Sequence, residues 1–307
     1  MHLLAEVTAY RAHVEPEQPQ SEALPWRRRR DRHAGGTLSP AVRRLVVERG
    51  VDTARLTGTG ADGRITRNDV LAARPSIERV PFDRIRRRAA DGLLRAKVTA
   101  AHAFAAVDCD YSAVERARRG VRDEWREREG FGLTALPFVA RAVVDALGEF
   151  TRLNATVGDD ALVMQDRVHL GIAVDLDHEG LLVPVVHDAE ALRLVGLARA
   201  IFDCANRARR RELRPDDVTG GTFTITNPGA AGTHISVPII HAPEVAILST
   251  DGVRKEVVAI DGELSIRPIG RLCCSFDHRA VDGAYVGAFL DRVRTIVEQR
   301  DWSSEIW

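Results

Sequence analysis

No apolar run in this 307-residue chain approaches the roughly 18–20 residues that a bilayer-spanning helix needs. The apolar start is short and has no basic segment before it, so it does not read as a secretion signal. Net charge is absent too: 44 Lys and Arg stand against 44 Asp and Glu. Nothing global therefore points to nucleic acid or a membrane surface as a partner. The four cysteines, Cys109, Cys204, Cys273 and Cys274, show neither metal-ligand spacing nor a disulfide framework. Reduced thiols, a cytoplasmic location and no metal are the expectation. The glycine-bearing stretch 56–66 has no strand before it and no Gly-Lys-Ser/Thr after it, so a structural loop is expected rather than a phosphate loop. There is no internal repeat.

What is present fits one large domain and one small one. Residues 1–36 hold Pro16, Pro19, Pro25 and the basic run 27–30 with Arg32, and read as a flexible tail and linker. Residues 37–73 form a mini-domain: Ser39 caps a helix over 41–49 with Pro40 in its first turn, Gly50 ends it, and Thr66 with Asp69 opens a second helix. Residues 74–79 are a second linker. Residues 80–307 read as one α/β domain. Helices are predicted over 84–97, 113–128, 133–150, 191–211 and 285–299, and strands over 102–110, 222–226, 245–249, 253–260, 264–269 and 270–276. Two β-branched runs, 169–176 and 181–186, are joined by a turn, and Asp261–Gly262 marks a hairpin.

The densest chemistry lies in residues 275–283, Ser-Phe-Asp-His-Arg-Ala-Val-Asp-Gly. His278 sits where a strand gives way to a helix, and imidazole is the side chain suited to move protons near neutral pH. Asp282, four residues on, is placed to orient or charge-stabilise the ring. Arg279 offers a bidentate grip on a carboxylate, and Gly283 permits close backbone approach. A hydroxyl donor for an oxyanion is sought at a strand end. Thr224 and Thr226 point to the same face of their strand, so alternation does not choose between them.

The pattern Asp277-His278-Arg279-x-x-Asp282-Gly283 resembles the active-site signature of the dihydrolipoyl acyltransferases, the core subunits of 2-oxoacid dehydrogenase complexes. It is also similar to the H-x-x-x-DG motif of chloramphenicol acetyltransferase. Stretches 153–155, 171–174, 180–186, 220–227, 238–240 and 243–248 match the same catalytic domain, and 37–73 resembles its peripheral subunit-binding domain. The resemblance implies a chloramphenicol acetyltransferase-like α/β fold, with a mixed sheet and helices, preceded by a small all-α domain. It implies His278 as general base, Thr226 as the hydroxyl that binds the tetrahedral intermediate, Asp282 as charge stabiliser, and Arg279, Gly283 and Asn227 in support. It further implies CoA as co-substrate and a homotrimer whose active site lies between subunits, possibly built into a larger cage. In the mini-domain, Asp69 matches a buried aspartate that ties loop amides together. Arg43, with Arg44 beside it, matches the arginine that docks a dehydrogenase subunit. His102 and Asp110 align near the channel, where packing roles are expected. His169, His178, His187, His234 and His241 are expected to be solvated or capping. Pro228 departs from the family's loop, which would reshape the acceptor side. The Ser-Ser-Glu-Ile-Trp ending departs from the leucine-rich one common in cages, which favours a free trimer.

Members of that family carry lipoyl domains before the binding domain, yet residues 1–36 contain no lysine. No lipoyl-lysine is therefore expected in this chain. The leading expectation becomes transfer of an acetyl group from acetyl-CoA to a small-molecule hydroxyl, as in tetronate-type antibiotic biosynthesis. The alternative is a dihydrolipoyl acyltransferase core subunit that uses a lipoyl domain in trans. A non-catalytic scaffold for dehydrogenase subunits is the third reading, which the retained His278 disfavours.

Overall fold

The computed structural model describes residues 38–73, 80–177 and 179–306. The expected tail, the linker 74–79, His178 and Trp307 lie outside the described residues. Two compact units meet in sequence between Pro81 and Phe82. Among the described residues no helix is long and apolar enough to cross a membrane.

In the small unit, helices α1 (Pro40–Arg49) and α2 (Arg67–Ala72) enclose a core of Val42, Val51, Ile65 and Val70. Ser39 Oγ accepts from the Val42 amide at 3.3 Å, and Gly50 ends α1 in the left-handed region at φ 59°. Thr66 and Asp69 form a capping box at α2. Asp69 is half-buried, not buried as the resemblance implied. Its carboxylate still ties the loop together, accepting from the Thr59 hydroxyl at 2.6 Å, the Thr59 amide at 3.0 Å and the Thr66 amide at 2.7 Å. Those bonds hold its pKa well below the usual carboxylate range. A Cβ at Gly58 would lie 2.2 Å from the Gly63 carbonyl oxygen, so this loop's glycine serves the loop's own packing.

The large unit runs α3 (Arg84–Thr99), β1 (His102–Asp110), α4 (Ser112–Gly120), α5 (Arg122–Glu129), α6 (Leu136–Glu149), β2 (Ala155–Val157), β3 (Leu162–Met164), β4 (Leu170–Ile172), β5 (Val174–Asp175), β6 (Leu181–Leu182), β7 (Val185–Val186), α7 (Leu194–Arg209), β8 (Phe223–Thr226), β9 (Ala246–Thr250), β10 (Arg254–Ile260), β11 (Glu263–Asp277) and α8 (Gly283–Gln299). One mixed sheet takes the order β1-β11-β9-β8-β4-β7, with β10 also paired to β11. Helix α6 is buried on almost every side, which its apolar composition demands, and it packs against α7 and α8. Phe223 and Ile225 of β8 face this helical layer, with the Phe223 ring 5.8 Å from that of Phe289 in α8. Thr224 and Thr226 therefore point to the other face.

Three expectations differ. The β-branched runs 169–176 and 181–186 are each two short strands, with β4 and β7 paired in the main sheet and β5 and β6 paired in a sheet of their own. The helix predicted over 113–128 is two helices, because Gly120 ends α4 and the buried Val121 leaves helical geometry at φ −117°, ψ 5°. The strands predicted over 264–269 and 270–276 are one 15-residue strand, β11. Its Pro268 is tolerated opposite Lys255, and its Gly270 makes room for the Tyr111 ring, whose Cε2 would lie 2.6 Å from a Cβ there.

Candidate active site

Strand β11 delivers Asp277 to the sheet's end, opposite His102 at the start of β1. The Asp277 carboxylate is almost wholly buried. It accepts from the Ala101 amide at 3.2 Å, the Arg279 amide at 3.0 Å, and the Arg279 guanidinium at 3.0 Å from Nε and 2.6 Å from Nη2. Burial pulls its pKa upward, but the bonds from Arg279 and the two amides outweigh that and hold it below the ordinary value. The next amide, His278 N–H, donates to the Ala101 carbonyl at 2.9 Å. The backbone that carries His278 is thus clamped on both sides. Arg279 spends its fork on Asp277, so it supports the junction. Asp277, to which the sequence reading gave no role, is the clamp's centre; its place one residue before His278 was the available signal.

The His278 ring is left half exposed, with its centroid 5.6 Å from that of Phe276. Its Nδ1 lies 3.7 Å from Asp282 Oδ1, too long for a hydrogen bond. Asp282 is the N-cap residue of α8, yet its side chain makes no capping bond and is 87% exposed. That carboxylate is therefore available to the imidazole. A Cβ at Gly283 would meet nothing within 4 Å, so none of the described residues makes the close approach expected there.

The structure separates the two threonines. Thr224 is buried and donates to Glu244 Oε1 at 2.9 Å. Thr226 ends β8 partly exposed, and its hydroxyl bonds to nothing among the described residues. The exposed Asn227 follows, and Pro228, half-buried, opens the turn Pro228–Ala231. That loop is pinned by the buried Asp251, which accepts from Thr233 Oγ1 at 2.6 Å and Ser236 Oγ at 2.7 Å. Glu244 and Asp251 are two further buried carboxylic acids that sequence reading passed over.

Within one chain the two candidate groups do not meet. Thr226 is level with Ser249 of β9, and Ser249 with Cys273 of β11, five residues short of His278. With about 3.3 Å per residue and about 4.8 Å per strand, Thr226 and His278 are roughly 15–20 Å apart.

Four other histidines have ring partners among the described residues. His102 Nε2 accepts from the Ile240 amide at 3.2 Å, and His169 Nδ1 from the Asp188 amide at 3.1 Å. His187 Nε2 lies 3.3 Å from the Asp216 carbonyl, and His234 Nδ1 2.9 Å from Arg271. Asp110 accepts from the Ser112 amide at 2.7 Å. No group of three or more metal-ligating side chains occurs among the described residues. In the small unit, Arg43 and Arg44 are exposed on α1 and form no ion pair among the described residues.

Residues 74–302 match the family model of the 2-oxoacid dehydrogenases acyltransferase (catalytic domain), and residues 37–71 match the e3 binding domain. The chain belongs to the 2-oxoacid dehydrogenase acyltransferases. It is 34% identical over 299 residues to the dihydrolipoyllysine-residue succinyltransferase component of the 2-oxoglutarate dehydrogenase complex of Rickettsia bellii, covering 92% of this chain and 74% of that one. A crystal structure of the Azotobacter vinelandii dihydrolipoamide acetyltransferase is 31% identical with a TM-score of 0.70, over 73% of this chain and 93% of that one. In that enzyme a serine, a histidine and an asparagine four positions after the histidine were investigated for their role in catalysis. The cubic core of a pyruvate dehydrogenase multienzyme complex is similar at 31% identity and a TM-score of 0.70, over 75% of this chain and 94% of that one.

The acyltransferase is accordingly an enzyme, and the scaffold reading is dropped. The hydroxyl acceptor of a tetronate-type antibiotic pathway is overturned as well, because these relatives are dihydrolipoyl acyltransferases. The lysine-free stretch 1–36 does not decide the acceptor. The Rickettsia relative extends beyond the matched region, so that stretch carries no such information.

Proposed function

We propose that this acyltransferase moves an acyl group between CoA and a dihydrolipoyl thiol in the core of a 2-oxoacid dehydrogenase complex. The observation that carries the reading is the order of the two family matches in one chain, a docking domain for a dehydrogenase component followed by an acyltransferase domain. The two lysines of the sequence, Lys97 in α3 and Lys255 in β10, both lie in regular elements of the large unit. The dihydrolipoyl group therefore comes from outside these 307 residues. Arg43 and Arg44 offer an exposed basic surface on α1 for an acidic face of the dehydrogenase subunit.

His278 takes the proton of the attacking CoA thiol, and the thiolate adds to the carbonyl carbon of the S-acyl-dihydrolipoyl thioester. The oxygen that becomes negative accepts a hydrogen bond from the Thr226 hydroxyl. Collapse breaks the bond to the lipoyl sulfur, which takes the proton back from the imidazolium. Asp282 stabilises that imidazolium. The separation of Thr226 from His278 in one chain supports a site shared between neighbouring subunits of a trimer. The likeness to a cubic core favours assembly of trimers into a larger core over the free trimer expected from the C-terminal residues.

The test is acyl transfer from acetyl-, succinyl- and branched-chain acyl-CoA to dihydrolipoamide, followed by CoA release. Turnover with at least one donor is expected, and His278→Ala should lower kcat by about 10²–10⁴-fold. No release above the blank, or release untouched by the substitution, would sink the proposal.

A further inference from the structure

The break between α4 and α5 opens a cleft of about 380 Å³ that the reaction does not use. Arg118 and Arg119 from the last turn of α4 line it, with Arg122 and Arg126 of α5 and with Gly132 and Thr134 of the loop that leads to α6. One carboxylate, Glu115, also lines it, and its charge is committed: it is paired with Arg118 and lies 3.9 Å from Arg119. Arg118 also donates from Nε to the Leu133 carbonyl at 2.8 Å, which ties the helix to the opposite wall. Arg122 and Arg126, four residues apart and so on one face of α5, have no carboxylate within ion-pair distance among the described residues. The acids that share α5 with them are Asp123, Glu124, Glu127 and Glu129; Glu129 is paired with Arg128 and Arg199, and none of the four forms an ion pair with Arg122 or Arg126 among the described residues. The amides of Gly132 and Thr134 donate to no acceptor among the described residues.

Four guanidinium groups around one cleft repel each other, and a single shared carboxylate offsets only part of that. Such an arrangement is relieved by an anion carrying more than one charge. Two unpaired planar forks supply more donors than one carboxylate group accepts, and they suit the several oxygens of a phosphate. The cleft is not the acyl-transfer site. Helix α4 begins beyond Asp110, which pairs with Ile269, whereas His102 at the other end of β1 pairs with Asp277 beside His278, roughly 25 Å away along the strand. Thr226 points to the sheet face opposite the helical layer in which α4 packs against α8.

We propose that this cleft is an anion-binding site for a compact phosphate-bearing ligand of charge −2 or more. The source is either a free inorganic phosphate species or the phosphate of a nucleotide, and separate titrations distinguish them.

The full chain is titrated calorimetrically at low ionic strength, where exposed charge is least screened, with pyrophosphate, ADP and citrate in turn. Saturable pyrophosphate binding at one site per chain is expected. The pair Arg122→Gln with Arg126→Gln should weaken it by about ten-fold or more, while Arg209→Gln with Arg210→Gln at the end of α7 should leave it unchanged. Glu115→Gln frees Arg118 and should tighten it. ADP binding more tightly than pyrophosphate assigns the nucleotide source, and the reverse assigns the inorganic one. No saturable binding, equal loss in the α7 pair, or citrate binding as tightly as pyrophosphate would overturn the proposal.

Discussion

Asp277 and Arg279, the two neighbours of His278, are joined to each other by a bidentate ion pair with Nη2 and Oδ2 2.6 Å apart. The histidine between them is thereby fixed to a closed loop of hydrogen bonds anchored on Ala101. Removing the carboxylate with Asp277→Ala leaves the Ala101 and Arg279 amides without their acceptor, which should cost about 1–3 kcal/mol of stability. It should also lower kcat, since the base loses its fixed position. Denaturant unfolding and steady-state kinetics check both. A variant as stable as the parent would show that the clamp contributes nothing to the fold.

A second prediction follows from the distance between Thr226 and His278. Thr226→Ala should lower kcat by about 10²–10³-fold with little change in melting temperature. Thr224→Ala should instead lower stability, because it strips Glu244 of the side-chain donor it has among the described residues. If the site forms between subunits, mixing His278→Ala and Thr226→Ala chains before assembly restores it at some interfaces, with about a quarter of the sites intact in a random mixture at equal ratio. If both groups came from one chain, no mixture would recover activity.

The strand over 102–110 was legible because one residue in two faces the core, and the cap at Ser39–Pro40 because both residue types act locally. The hairpin at Asp261–Gly262 was legible for the same reason: both residues take positive φ, 51° and 85°. The α4–α5 break was not, because charged residues continue through it and the buried Val121 has no local signature. The continuity of β11 was hidden by Pro268 and Gly270, which read as punctuation until Lys255 and Tyr111 are placed beside them. At the site, the motif exposed His278, but alternation could not separate Thr226 from Thr224. What separates them is Glu244, 20 residues away in sequence.

In the small unit, Asp69 joins Thr59 to Thr66 across the loop. Its lowered pKa means that the contribution to stability is present above the unfolded value of 3.8 and is lost as pH falls toward the folded one. Asp69→Asn should abolish capture of a dehydrogenase subunit while leaving turnover of free dihydrolipoamide unchanged, because the two units have separate cores. Loss of both together would tie the mini-domain to catalysis.

Glu244 gives the opposite pH dependence. Its Oε1 accepts from Thr224, and its Oε2 is buried with no hydrogen-bond partner among the described residues. Burial pushes its pKa from 4.5 up to about 8. Between those values the native protein holds a proton that the unfolded chain has released, so stability from this residue is full below pH 4.5 and is lost as pH rises toward 8. Glu244→Gln keeps the acceptor for Thr224 and removes the ionisation. The variant should match the parent near pH 5 and exceed its stability by a few kcal/mol above pH 8, since the native and unfolded proton affinities differ by roughly 1.4 kcal/mol for every tenfold ratio between them. Chemical denaturation at pH 5, 7 and 8.5 measures the difference. Parallel pH profiles for the two proteins would mean that Glu244 is ionised in the fold and that its Oε2 has found a donor.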